Sequence, residues 1–259
     1  MQQFESEYQV RGVKLRMFRG GTGEPVLFLH GAAGLSFWTP FFQSLSQQHD
    51  FIAIEHPGYG KSDDPENLTS MQDLAAFYLD VIDQLGVGKV HLIGSSLGGW
   101  LASEIAIRDS SRVKSLTVVA PAGLRNERIP VPDMLSWSPQ ELTRKVYFDP
   151  AIAEQILAQT PTEQQRQMLA KNRATTTKLG QAANFCSPTL GESLRHLEIP
   201  TFILWGDTDK VTPTAYAEYW KEHMPNARLS IIPECGHLPH FEKADVAAAQ
   251  IKAFLQTVA

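Results

Sequence analysis

Five short apolar runs recur along the chain, each stopping at a glycine or a turn. They are "PVLFLHG", "FIAIEHPG", "KVHLIGS", "VKSLTVVAPAG" and "PTFILWGD". Continuous runs of this kind suit strands covered on both faces, because a half-exposed strand would alternate apolar and polar residues. A sixth, "RLSIIPECGH", does alternate and suits a sheet edge. Helical patterns fill the gaps. "TSMQDLAAFYLDVIDQLG" opens with a Ser-x-x-Asp capping pattern at Ser70 and stops at Gly86. "LGGWLASEIAIRD", "TAYAEYWKEHM" and "DVAAAQIKAFLQTV" supply further helices. Strand–helix alternation predicts an α/β fold: a mostly parallel central sheet flanked by helices. Before it, "YQVRGVKLRMF" reads as a hairpin turning at Arg11-Gly12.

One stretch breaks the alternation. Between Pro121 and about His196 no strand is expected; prolines at 130, 132, 139 and 150 and helical runs such as "PAIAEQILAQ" and "PTEQQRQMLAKNRATT" take over. Residues 1–120 and 197–259 then form the core, and 121–196 a helical cap inserted between two strands. Loops at the carboxyl ends of parallel strands carry the ligand crevice, so an insertion there would form a lid.

The 259 residues, 43% of them hydrophobic, are enough for a single core of ordinary size. A formal charge of −5 gives no reason to bind nucleic acid or an anionic membrane. No run reaches the roughly 18 apolar residues of a membrane span. The start, "MQQFESEYQV", lacks an apolar signal region, so a cytoplasmic protein is expected. Cys186 and Cys235 make no disulfide framework. Cys235, His237 and His240 lack a second pair at zinc spacing, so no metal is expected. "RGGTGEP" lacks the Gly-Lys-Ser/Thr ending of a phosphate loop and precedes a strand.

Chemistry gathers where runs end. Gly94-Ser95-Ser96-Leu97-Gly98 fits G-x-S-x-G at a strand-to-helix junction, with Ser96 central and Ser95 off centre. The bland alternative is a Ser/Gly turn capping the next helix. A serine needs a base. His237, in "PECGHLPHF" after the last strand, lies at the same end of the sheet; His240 competes but adjoins the last helix. The imidazole needs an acid, and "LWGDTDKVTP" offers Asp207 and Asp209 at that same end. An oxyanion hole needs two N–H donors. Leu97 supplies one, and the small-residue loop His30-Gly31-Ala32-Ala33-Gly34 a second. His56, in "EHPGYG", is expected in a turn.

With "LFLHGAAG", "EHPGYGKSD", "LIGSSLGGW", "LWGDTDKVTP" and "IPECGHLPHFEKAD" in this order, the chain resembles the α/β-hydrolase superfamily, in the lid-bearing branch of esterases and meta-cleavage product hydrolases. The resemblance implies an acid three residues after the glycine of the Trp-Gly pair and a proline four further on. Gly206, Asp209 and Pro213 fit, which favours Asp209 over Asp207. It also favours Ala32 over Ala33 as donor. Serine at 96 disfavours dehalogenase and epoxide hydrolase chemistry, which the family runs with aspartate there. Carbon–carbon bond hydrolases of the family carry Asn before the nucleophile and Trp after the base, and a lid arginine for a substrate carboxylate. Here stand Ser95 and Leu238, with Arg173 as the candidate arginine, although a solvated helix-face arginine is the simpler reading. Ester hydrolysis of a small, largely apolar substrate, needing no cofactor, is the leading expectation, with C–C bond hydrolysis or a slow-turnover receptor as alternatives. Trp38, Phe41, Trp100, Trp137, Tyr147 and Leu238 are candidate cleft residues, although aromatic residues more often fill cores.

Overall fold

The computed structural model describes residues 3–134, 136–180, 185–224 and 226–258. Eight strands form one sheet: β1 (Gln3–Val10), β2 (Val13–Gly20), β3 (Glu24–Leu29), β4 (His49–Ile54), β5 (Val90–Ser95), β6 (Val113–Val119), β7 (Thr201–Gly206) and β8 (Arg228–Ile232). Their spatial order is β1-β2-β4-β3-β5-β6-β7-β8. β1 pairs antiparallel with β2, and β2 with β4; every other pairing is parallel. The hairpin turns at Arg11 and Gly12, with φ of 50° and 80°. Positive φ at both corner residues matches the twist of a two-residue hairpin. The last strand lies at the edge, as its alternation predicts: Arg228 and Ile231 are exposed while Ile232 is buried.

Alternate residues of the buried strands feed two separate cores. Leu27, Leu29, Ile52, Ile54, Leu92, Leu116, Val118, Ile203 and Trp205 face one side. There they meet α2 (Met71–Leu85), α3 (Leu97–Arg108) and α8 (Ala215–His223). Val26, Phe28, Phe51, Ala53, Ile93, Val119, Phe202 and Leu204 face the other, against α1 (Pro40–Leu45) and α10 (Ala244–Leu255). Each Val, Leu, Ile or Phe among them contributes about 1.5–3 kcal/mol by leaving water. The Ser70–Asp73 capping box and the left-handed Gly86 bound α2 where the sequence predicts. Thr39, which caps α1 ahead of Pro40, is a signal the longer patterns obscured.

Between β6 and β7 the described residues contain helices and two isolated bridges but no strand. The helices are α4 (Pro139–Val146), α5 (Pro150–Leu157), α6 (Glu163–Gly180) and α7 (Leu190–Leu194). Both α4 and α5 carry proline in the first turn, where a missing N–H costs nothing. Residues 135 and 181–184 of the stretch expected to be helical lie outside the described set. No helix among the described residues is long and apolar enough to cross a membrane.

The strand order reverses direction beside β3. The chain leaves β3 for β4 on one side, then crosses back to β5 on the other. The carboxyl ends of β3 and β5 therefore flank a switch point, where loops diverge and leave a crevice.

Candidate active site

Ser96 follows β5 at that switch point. Its φ of 54° and ψ of −117° lie outside the ordinary regions, and its side chain caps nothing in α3. Such a conformation costs on the order of 1–3 kcal/mol and persists only where the surroundings enforce it. Here the Ser96 N–H donates to Val119 O at 2.9 Å, and its carbonyl accepts from Gly99, Trp100 and Ala122. A Cβ at Gly98 would come within 2.1 Å of Leu29 O, so the tight corner accepts no side chain there. Ser95, one residue earlier, is fully buried.

His237 follows β8 and is 4% exposed. Its Nε2 lies 2.9 Å from Ser96 Oγ, and its Nδ1 lies 2.8 Å from Asp209 Oδ2. Asp209 is buried after β7, and its other oxygen accepts the N–H groups of Val211 (2.8 Å) and Thr212 (2.9 Å). An ionised carboxylate only accepts, so the proton sits on Nδ1 and Nε2 is free to accept the serine O–H. Asp207 does something else: it accepts the Cys235 N–H at 3.2 Å and ties the two loops together. His240 lies in the short helix α9 (Pro239–Glu242), its ring 5.6 Å from Phe28 and 5.8 Å from Phe41. Burial, aided by nearby His237, holds its pKa down to about 3.

The loop after β3 meets Ser96 at Gly31, whose position would bring a Cβ to 3.2 Å from Ser96 Cβ. Gly34 N–H donates to Gly31 O at 3.1 Å, closing a β-turn with Ala32 and Ala33 at its corner. Among the described residues, no hydrogen bond engages the amide N–H of Ala32, Ala33 or Leu97.

Several supporting groups escaped sequence reasoning. His56 is not a simple turn residue. It is fully buried, and its ring stacks on His30 at 3.7 Å. The His56 N–H donates to His30 Nε2 at 2.9 Å, so His30 Nδ1 carries the proton and donates to Gly31 O at 2.7 Å. His56 Nε2 then donates to His30 O at 3.0 Å, and its Nδ1 accepts from the Tyr78 hydroxyl at 2.5 Å. Burial lowers the pKa of His30 to about 4 and that of His56 well below its usual value, so both are neutral. Arg16 holds the far end of the same loop through Leu35 O (2.9 Å) and Ser36 O (3.3 Å). Glu242 bridges the His237 loop to the helical segment. Its Oε2 accepts Gly236 N–H at 2.7 Å and its Oε1 accepts Asp149 N–H at 2.8 Å. Beside it, His237 N–H donates to Val146 O at 2.7 Å.

The candidate cleft residues scatter. Trp100 is 1% exposed, sits in the core and donates to Glu104 at 2.9 Å; Phe41 is equally internal. Trp38 packs on Phe42 and Phe51 and donates to Gln43. Trp137 lies under Lys145, whose Nζ is 4.8 Å from the ring. Trp100 and Phe41 are thus core residues, while Trp38 and Trp137 are half-buried. Tyr147 and Leu238 lie beside His237. Tyr147 adjoins Val146, its ring 5.8 Å from Phe241 and its pKa raised to about 12 by burial and then by Glu242. Leu238 is half-buried. Arg173 lies on the exposed face of α6.

The sequence pattern of the alpha/beta hydrolase family matches residues 26–250. The chain belongs to this family. It is 29% identical over 268 residues to the dihydrolipoyllysine-residue acetyltransferase component of the acetoin cleaving system of Cupriavidus necator, covering 95% of this chain and 67% of that one. It is 28% identical over 272 residues to a 2-hydroxy-6-oxononadienedioate/2-hydroxy-6-oxononatrienedioate hydrolase of Burkholderia vietnamiensis, covering 95% and 92%. A solved meta-cleavage product hydrolase from Pseudomonas fluorescens IP01 superposes with a TM-score of 0.81 at 22% identity, over 98% of each chain. Hydrolases named as esterases also match. The family and these names support hydrolase activity.

Proposed function

We propose that this hydrolase is a serine esterase acting on small, largely apolar carboxylic esters. The observation that carries the reading is the unbroken hydrogen-bonded chain Ser96 Oγ–His237–Asp209, at 2.9 and 2.8 Å. Ser96 Oγ attacks the ester carbonyl carbon as its proton passes to His237 Nε2. Asp209 keeps the imidazole in its tautomer and stabilises the imidazolium. The amide groups of Ala32 and Leu97 hold the tetrahedral oxyanion. The C–O bond breaks, His237 gives its proton to the departing alcohol, and an acyl-Ser96 ester remains. Water, giving its proton to His237, attacks the acyl carbon; the acyl C–Oγ bond then breaks, His237 returns the proton to Ser96 Oγ, and the acid leaves. The segment 121–196 acts as the cap that selects the substrate.

The charge inventory supports a neutral substrate. Among the described residues the only buried lysine or arginine is Arg16, already engaged by Glu5, Glu55 and two carbonyls. Exposed Arg173 leaves no buried cation for a substrate carboxylate. A second reading, C–C bond hydrolysis, is favoured by the names of several relatives.

The test is p-nitrophenol release from short- and medium-chain esters, with Ser96→Ala beside the wild type. The expected loss of kcat is roughly 10⁴-fold or more. Turnover that survives in Ser96→Ala rules the mechanism out. A wild type that ignores esters but cleaves vinylogous diketones selects the second reading.

A further inference from the structure

Helix α6 buries a polar face. Asn172, Thr175 and Thr176 are 4%, 3% and 4% exposed, and with Leu179 they follow the i, i+3, i+4, i+7 spacing of one helix side. Buried polar groups stay favourable only when bonded. These bond to two loops of the core. Asn172 Nδ2 donates to Ala33 O at 2.9 Å while its Oδ1 accepts Gly60 N–H at 2.9 Å. Thr176 Oγ1 makes a longer contact, 3.4 Å, with Ala32 O and receives the Tyr59 hydroxyl at 2.8 Å. Thr175 Oγ1 donates to Gly58 O at 2.6 Å, and Lys171 Nζ to Gly60 O and Ser62 O.

Ala32 and Ala33 form the corner of the β-turn beside Ser96. Turn types I and II differ by turning over the central peptide, here Ala32 C=O with Ala33 N–H; the Ala32 N–H belongs to the peptide before it and the Ala33 C=O to the peptide after it, so the corner spans three peptides. The core holds the two ends of this loop, through His30 on Gly31 O and Arg16 on Leu35 O and Ser36 O. The carbonyls of the two corner residues are held from α6. An oxyanion donor counts only when fixed before charge develops.

We infer that Asn172 and Thr176 are positioning residues for the oxyanion turn, so that α6 completes the hole instead of merely covering it. This rests on the serine esterase reading above. The experiment measures kcat and KM with p-nitrophenyl butyrate, inhibition by butyl trifluoromethyl ketone and the melting temperature. The ketone forms a tetrahedral adduct with serine whose oxyanion needs the hole. In Asn172→Ala, kcat should fall about 10–100-fold, within the range for loss of an oxyanion donor or less. The ketone should weaken by the same factor, with KM within about twofold. Thr176→Val, which keeps the side-chain shape, should show a smaller loss of the same kind, and Thr176→Ser should restore it. Ketone inhibition within twofold of wild type in folded Asn172→Ala and Thr176→Val overturns the inference. Ser96→Ala separates the two levels: if it retains turnover and ketone inhibition, the esterase reading fails and takes this inference with it.

Discussion

At Ala32 the chain offers an unusual chance to remove a backbone donor without disturbing the turn that carries it. Ala32 is the first corner residue of the Gly31–Gly34 turn. Proline is favoured at that position and has no N–H. Ala32→Pro should keep the fold and lower kcat by about 10²–10³-fold, the range measured for loss of one oxyanion donor. A variant with wild-type kcat would move the donor to Ala33. The two aspartates can be separated in the same way. Asp209→Asn should lower kcat about 10⁴-fold, because an amide no longer enforces the productive histidine tautomer. Asp207→Asn keeps an amide oxygen to accept the Cys235 N–H, so its kcat should stay within a few-fold of wild type.

Among the elements, the helical segment between β6 and β7 grips both loops that serve Ser96. α6 holds the turn after β3, and the junction of α4 and α5 holds the His237 loop, directly through Val146 O and by way of Glu242 through Asp149 N–H. Glu242 joins the second pair, one carboxylate oxygen to each N–H. Glutamine has the same shape but only one acceptor oxygen, so one tie must break. Glu242→Gln should therefore cost about 1–2 kcal/mol of stability and lower kcat more than KM. Thermal melts and steady-state kinetics on one preparation check it. A kcat equal to wild type would show that His237 keeps its place without this tie.

For the whole molecule, the buried histidines set a pH limit. His30 and His56 are neutral when folded because burial disfavours the charged ring. Unfolded, each takes a proton near pH 6.5. The unfolded state then binds more protons below that value, so stability falls as pH drops. The slope approaches about 1.4 kcal/mol per pH unit for each ring until the folded group protonates, near 4 for His30. Glu55 and Glu104, whose pKa values burial raises, act in the opposite sense at the acid end. The melting temperature should therefore decline between pH 7 and 5.5. A level profile there would mean that the rings do not stay neutral in the fold.

Local patterning determined the sheet, because apolar runs with a period of two or none, bounded by glycine, leave few other structures open. It fixed the hairpin at Arg11-Gly12, the α2 caps and the edge placement of β8 for the same reason. It also singled out Ser96 and His237, whose surroundings are short stretches of contiguous sequence. The choice between Asp207 and Asp209 needed the resemblance, and only the fold brought Asp209 to His237. The polar face of α6, the His30–His56 stack and the double grip of Glu242 stayed hidden. Each joins residues far apart in the chain, such as Asn172 and Ala33 or Glu242 and Asp149. Asparagine and threonine on a helix look solvated until another segment covers them, and a burial pattern made by neighbours distant in sequence leaves no local period to read.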